Sequence, residues 1–315
     1  MMPYRAPRWL VGGHAQTIWP ALMIRQPRPA YRRETWPTPD GAHIALDFVD
    51  GLPGTPLVVL FHGLEGSSDS HYARALMLEV QARGWHGVVS HFRGCGGMDN
   101  PLPRAYHAGD AEEIRWILNR LATTYPTLFA TGVSLGGSML LNYLAEDGAA
   151  ARPRAAAGIS VPLDLTAAST RLDRGLGKLL YTRMFMNTLK PKALAQLYRH
   201  PGLFNEKRLH HTSTFCDFDH FVTAPLHGYA SALDYWTRAS SKPHLHRIER
   251  PTLIINARND PFFPEWALPG TDQVSPQVEL EFPTGGGHAG FVCGSFPGHL
   301  RWLPQRLLKY FERHL

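Results

Sequence analysis

The sequence predicts an α/β protein: a mostly parallel sheet with helices on both faces and a helical cap inserted late in the chain. Short apolar runs of strand length alternate with segments whose apolar residues recur at helical spacing, which implies parallel strands joined by helices. The run Gly132-Val133-Ser134-Leu135-Gly136 lies between one such strand and one such helix. Between residues 161 and 251 the alternation breaks down into about ninety residues without a clear strand. Residues 1–161 and 251–315 are therefore expected to form the core. Residues 162–250 follow the strand after the serine's helix, so they should cap the C-terminal edge of the strands, where open α/β sheets bind ligands.

In chain order, residues 31–36 and 43–49 alternate around Pro39-Asp40-Gly41 and predict an antiparallel hairpin. Residues 57–61 are continuously apolar, as a strand buried on both faces is. Tyr72, Leu76 and Val80 predict a helix that stops at Gly84, and residues 85–92 the next strand. Asp110 and Glu113 form a D-x-x-E start for a helix with Ile114, Ile117, Leu118 and Leu121 on one face. Strands at 128–133 and 155–161 flank the helix-like run 138–147. Strands at 252–257 and 278–282 precede a terminal helix carrying Trp302, Leu303, Leu307, Leu308 and Phe311.

Composition narrows the function. The chain has 315 residues, 44% hydrophobic and 18% charged, enough for a substantial core. Three cysteines, widely separated and in no C-x-x-C pair, argue against a disulfide framework and a cysteine zinc site, and fit a reducing cytoplasm. Gly12-Gly13-His14 interrupts the first apolar stretch too early for a signal peptide, and no run approaches the ~18 apolar residues of a transmembrane helix. The formal charge of +6 is local: residues 171–208 hold nine Lys/Arg and two Asp/Glu, and the remainder is near neutral. Those charges alternate with large apolar residues, which suits an anionic lipid surface, or a solvated helix face beside a pocket, better than nucleic acid. The glycine-rich loop at 93–97 follows no phosphate-binding template, and no H-E-x-x-H or H-x-x-E-H spacing supports a metal. No cofactor, metal or nucleic-acid partner is expected, and nothing points to a particular oligomeric state.

Ser134 would sit on a sharp strand-to-helix turn, where the N–H of Leu135 points at a developing oxyanion. Read without catalysis, the run is a helix start packed on a strand. A serine hydroxyl needs a base and a group to orient it, and in sites of this kind the acid and then the histidine follow in chain order. Asp260 lies just beyond strand 252–257, and His288, after three glycines, just beyond strand 278–282. Asp260 before Pro261 could equally be a turn residue. His62 and His91, also near strand ends, are expected to be structural or pocket-lining. The second oxyanion donor should come from the loop Phe61-His62-Gly63-Leu64-Glu65-Gly66, where Gly63 lets the Leu64 N–H turn inward; an ordinary βα turn is the alternative.

With these residues in view, the chain resembles the α/β-hydrolase superfamily, and within it the YheT-like subfamily related to animal acylglycerol and phospholipid lipases. The likeness rests on Gly12-Gly13-His14-Ala15-Gln16-Thr17-Ile18-Trp19-Pro20, His62-Gly63-Leu64-Glu65-Gly66-Ser67, Phe92-Arg93-Gly94-Cys95-Gly96, Tyr106-His107-Ala108-Gly109-Asp110, residues 132–137 and Asn259-Asp260-Pro261-Phe262. It implies Ser134, His288 and Asp260 as catalytic residues and a carboxylic ester, small or lipid-like, as substrate. The cap segment Phe215-Cys216-Asp217-Phe218-Asp219-His220-Phe221, followed by Ala224-Pro225-Leu226-His227-Gly228-Tyr229, is similar to the family's F-D-x-x-x-T-A-P stretch, although His220 stands where an acidic residue is expected. The membrane anchor of the animal relatives is not expected here. The same residues would also serve a thioesterase or an acyltransferase; a ligand-binding protein on this fold is the non-catalytic alternative.

Overall fold

The computed structural model describes residues 3–315. Among them eight strands form one sheet: β1 (Arg32–Pro37), β2 (His43–Val49), β3 (Leu57–Phe61), β4 (His86–Ser90), β5 (Leu128–Val133), β6 (Ala155–Ile159), β7 (Thr252–Ile255) and β8 (Val278–Glu281). Their order is β1-β2-β4-β3-β5-β6-β7-β8, with β2 antiparallel to both neighbours and every later pairing parallel. The β1–β2 hairpin closes where Thr38 N–H donates to the Ala42 carbonyl around Gly41, whose φ of 88° suits glycine. The central strands are buried throughout, as their unbroken apolar runs require.

Helices α1 (Gly13–Leu22), α2 (His71–Ala82), α3 (Ala111–Ala122) and α4 (Leu135–Asp147) precede the late segment. α3 and α4 pack Ile114, Ile117, Leu118, Met139 and Leu140 on one face of the sheet. On the other face, α2 contributes Leu76, Met77 and Val80 beside Leu307, Leu308 and Phe311 of the terminal helix Trp302–Glu312. Asp110 caps α3 by accepting the Glu113 N–H, but the Glu113 carboxylate bonds Arg93 instead of returning to the cap.

Several strands end earlier than the apolar runs that predict them. β6 stops at Ile159 because Ser160 takes φ 49°, and β7 stops at Ile255 because the Asn256 side chain bonds both the N–H and the carbonyl of Val161. Both departures lie at the C-terminal edge of the sheet, where main chain leaves the ladder to build loops.

Between β6 and β7 the described chain is helical, with α5 (Leu165–Leu172), α6 (Arg183–Arg199), α7 (Glu206–His211) and α8 (Ala232–Ala239) as its longer pieces. Two stretches, Lys178–Thr182 and Asp219–Thr223, widen to π-helical turns. α1 is absent from the sequence-based expectation. Its buried residues are Gln16, Thr17 and Pro20, so its inner face carries no apolar period.

Candidate active site

Ser134 joins β5 to α4 with φ 53° and ψ −122°, a strained conformation for any residue with a Cβ. Its neighbours must be small. A Cβ on Gly132 would stand 2.5 Å from the Gly136 carbonyl oxygen, and one on Gly136 would stand 2.4 Å from that of His62. The strain is held by packing and by a hydrogen bond from the Ser134 N–H to the Ile159 carbonyl at 2.9 Å. Because Ser134 precedes α4, the first N–H groups of that helix, Leu135 included, have no intrahelical acceptor.

The loop after β3 lies directly against the serine: a Cβ on Gly63 would be 3.2 Å from that of Ser134. The Gly63 N–H donates to the Tyr72 hydroxyl at 3.0 Å, and the Glu65 N–H to the Tyr106 hydroxyl at 2.9 Å. Tyr106 in turn donates to Glu65 Oε1 at 2.9 Å, and Lys192 Nζ of α6 approaches Glu65 Oε2 to 2.7 Å. Leu64, between these anchors, lines the same cavity as Ser134 and Leu135. His62 is fully buried, its Nε2 accepting the Phe92 N–H and its Nδ1 facing the Gly63 carbonyl, and burial pushes its pKa down to about 3. His91 is buried too, with Nε2 accepting the Ser68 N–H. Neither lines the cavity that Ser134 lines.

Asp260 and His288 meet across the ends of β7 and β8. His288 Nδ1 lies 2.8 Å from Asp260 Oδ2, so the proton on Nδ1 donates to the carboxylate and leaves Nε2 with its lone pair. Asp260 Oδ1 accepts the Phe262 N–H at 2.8 Å. The turn and the histidine contact therefore coexist, one carboxylate oxygen each. Asp260 is only 4% exposed. Positive φ at Gly286, Gly287 and Ala289 turns the loop sharply around His288.

α1 holds these loops together. Gln16 Oε1 accepts the Gly286 N–H at 2.7 Å and the Asn259 side-chain amide at 2.9 Å, and Thr17 Oγ1 accepts the His288 N–H at 2.9 Å. Gly13 packs so closely that a Cβ would lie 1.9 Å from the Asn259 carbonyl oxygen. The signal that marks this helix is its Gly12–Pro20 motif rather than any periodicity. The Ala289 N–H donates to Ser160 Oγ, one residue from the carbonyl that holds Ser134, so the serine and histidine loops are tied to adjacent residues.

A cavity of about 340 Å³ opens beside Ser134, within the size range of small-ligand pockets. Leu64, Leu135, Leu172, Phe185, Leu189 and Phe262 supply much of its apolar wall. Asp219 lines it as well, bonded by Trp236 Nε1 and Thr223 Oγ1, with its carboxyl pushed up to about 6 by burial. His220, in contrast, is exposed. Among the described residues no cluster of three or more His, Cys, Asp or Glu could hold a metal ion, and no helix is long and apolar enough to cross a membrane.

The chain is 38% identical over 310 residues to YheT of Escherichia coli (strain K12), provisionally named an esterase, covering 96% of this chain and 91% of that one. It is 30% identical over 314 residues to the human phospholipase ABHD3, covering 96% and 76%. A Pyrococcus furiosus esterase, Pf2001, superposes with a TM-score of 0.58 at 16% identity, over 93% of this chain and 97% of that one, which is a likeness of fold. The family model described as the alpha/beta hydrolase fold matches residues 56–294, and the chain belongs to that family.

Proposed function

We propose that the protein is a serine hydrolase of carboxylic esters, with short- to medium-chain acyl esters or acylglycerol-like lipids as substrates. The observation that carries this reading is the Asp260–His288 hydrogen bond, with His288 stacked on Phe262, which lines the same cavity as Ser134 on its strained turn. His288 Nε2 takes the Ser134 proton as Oγ attacks the ester carbonyl, and the tetrahedral oxyanion is held by the Leu64 and Leu135 N–H groups. Collapse expels the alcohol, which leaves with the proton from His288. Water, deprotonated by the same imidazole, then cleaves the acyl-enzyme. Asp260 keeps the proton on Nδ1 and stabilises the imidazolium. Residues 1–161 and 251–315 act as the hydrolase core and 162–250 as the cap that walls the acyl site. The named activities of YheT and ABHD3 support an ester substrate, and three unpaired cysteines support a reducing cytoplasm.

Labelling with a fluorophosphonate probe, together with p-nitrophenyl ester cleavage, tests the reading. Wild type should label and turn over, and Ser134→Ala should do neither while unfolding at the wild-type temperature. Undiminished cleavage by Ser134→Ala would reject Ser134 as the nucleophile.

A further inference from the structure

The stretch from Arg171 to Met184 is buried on one side and exposes large apolar residues on the other. Gly177, Tyr181 and Thr182 are buried, and Tyr181 tilts against Phe262 with ring centroids 4.7 Å apart. Farther along, Phe185 lines the cavity beside Ser134. The opposite side carries Leu176, Leu179, Leu180 and Met184, which are 56, 67, 43 and 52% exposed. All four stay exposed across the π-helical turn Lys178–Thr182 and the helical residues on either side of it. Burying one side of an amphipathic helix normally leaves a polar side to water; here the side left to water carries large apolar residues.

Cations surround this second face. Among the described residues Arg171, Arg174 and Arg183 make no ion pair and Lys178 interacts electrostatically with Asp173 without forming a close pair, whereas Lys192 and Arg199 of α6 are matched by Glu65 and Asp99. The single acidic residue in the stretch, Asp173, accepts the N–H groups of Phe215 and Cys216. An exposed row of large apolar side chains in a stretch with a large excess of positive charge complements a surface that is apolar beneath and negative on top.

We propose that residues 171–184 dock the protein on an anionic lipid bilayer, with Leu176, Leu179, Leu180 and Met184 entering the interface and the four cations meeting lipid headgroups. The inner side of the same stretch reaches Phe262, on which His288 stacks, so docking would set the cavity wall against the lipid surface. The inference goes beyond ester hydrolysis and stands without it.

The test is co-sedimentation of the full chain with vesicles of phosphatidylcholine alone or mixed with phosphatidylglycerol, at low and high salt. Wild type should bind the mixed vesicles, bind the neutral ones at least about ten-fold more weakly, and dissociate at high salt. Leu176→Ser/Leu179→Ser and Arg174→Glu/Lys178→Glu should each lose about ten-fold or more in binding while cleaving a water-soluble ester like wild type. Equal binding to both vesicles, binding to neither, or variants that bind like wild type would overturn the proposal. So would a wild-type dimer that the leucine variant converts to monomer without vesicle binding, because the face would then belong to a second copy. Loss of soluble-ester cleavage in wild type would instead overturn only the hydrolase reading.

Discussion

The imidazole of His288 lies flat on the ring of Phe262, with centroids 3.8 Å apart and planes 9° apart. The residue that fixes the plane of the imidazole is thus two positions beyond the carboxylate that fixes its tautomer, and its own N–H is tied to that carboxylate. One turn orients the base in both respects. Phe262→Leu keeps apolar bulk but removes the flat surface, freeing the imidazole to rotate about its bond to Asp260. A misplacement of about 1 Å costs on the order of 10² in rate, so kcat should fall about 10- to 100-fold with little change in the melting temperature. Steady-state kinetics of Phe262→Leu and Phe262→Tyr check this, since tyrosine restores the ring and should restore most of the rate.

A second support reaches His288 from the opposite end of the chain. Thr17 Oγ1 accepts the His288 N–H and donates to the Gly13 carbonyl. Thr17→Val preserves shape and leaves that N–H without its partner, which should cost about 1–3 kcal/mol in chemical denaturation. Because the loop carries the base and not the acyl-binding wall, the kinetic loss should fall on kcat and leave KM near its wild-type value. Thr17→Ser should recover both, and a KM effect of equal size would mean that α1 shapes the cavity instead.

The contrast between α1 and the sheet explains what is legible in this sequence. Strands such as Leu57–Phe61 announce themselves because both faces are buried and every residue is apolar. Ser134 stands out because its turn tolerates only small neighbours, a steric requirement written directly as Gly132 and Gly136. The neighbourhood of Asp260 and His288 follows from strand order, since consecutive parallel strands bring their C-terminal loops together. α1 escapes this logic because it works through Gln16, Thr17 and a glycine contact, which have no period. The Lys192–Glu65 pair escapes it too: the partners are 127 residues apart, and only the folded helical segment brings them together.

Acid should unfold the protein through its buried histidines. His62 is buried and neutral, with its pKa lowered from 6.5 to about 3 by desolvation, while in the unfolded chain it binds a proton below pH 6.5. Its stabilising contribution is therefore complete above pH 6.5 and is lost as the pH falls toward about 3, amounting to about 2 kcal/mol between pH 6.5 and 5. Asp219 acts with the opposite sign. Its carboxyl, raised from 3.8 to about 6, favours the folded state below pH 4 and loses that effect as the pH rises through 6. Stability measured by urea denaturation across pH 4–8 should change more steeply in Asp219→Asn than in wild type, because the opposing term is gone. His62→Gln should lower stability at pH 8 and flatten its decline in acid. A decline in His62→Gln as steep as in wild type would exclude His62 as the titrating group.

The ion pair between Lys192 and Glu65 is small in stability and larger in consequence. Lys192 is 44% exposed at its side chain, so the pair should contribute no more than about 1 kcal/mol to folding. Glu65, however, is held at φ 56° immediately after Leu64, and Tyr106 bonds both its backbone N–H and its carboxylate. Lys192 thereby ties α6 to the loop that lies against Ser134. If that tie aligns the Leu64 N–H with the oxyanion, Lys192→Met should move the melting temperature by less than about 4 °C while lowering kcat several-fold. Salt adds an independent discriminator, because the Lys192 end of the pair is open to solvent and is screened. Raising ionic strength should slow wild type toward the rate of Lys192→Met and leave the variant unchanged. Equal salt sensitivity in both would trace the effect to other charges at the cavity mouth, such as Arg199 with Asp99, and would separate Lys192 from the oxyanion loop.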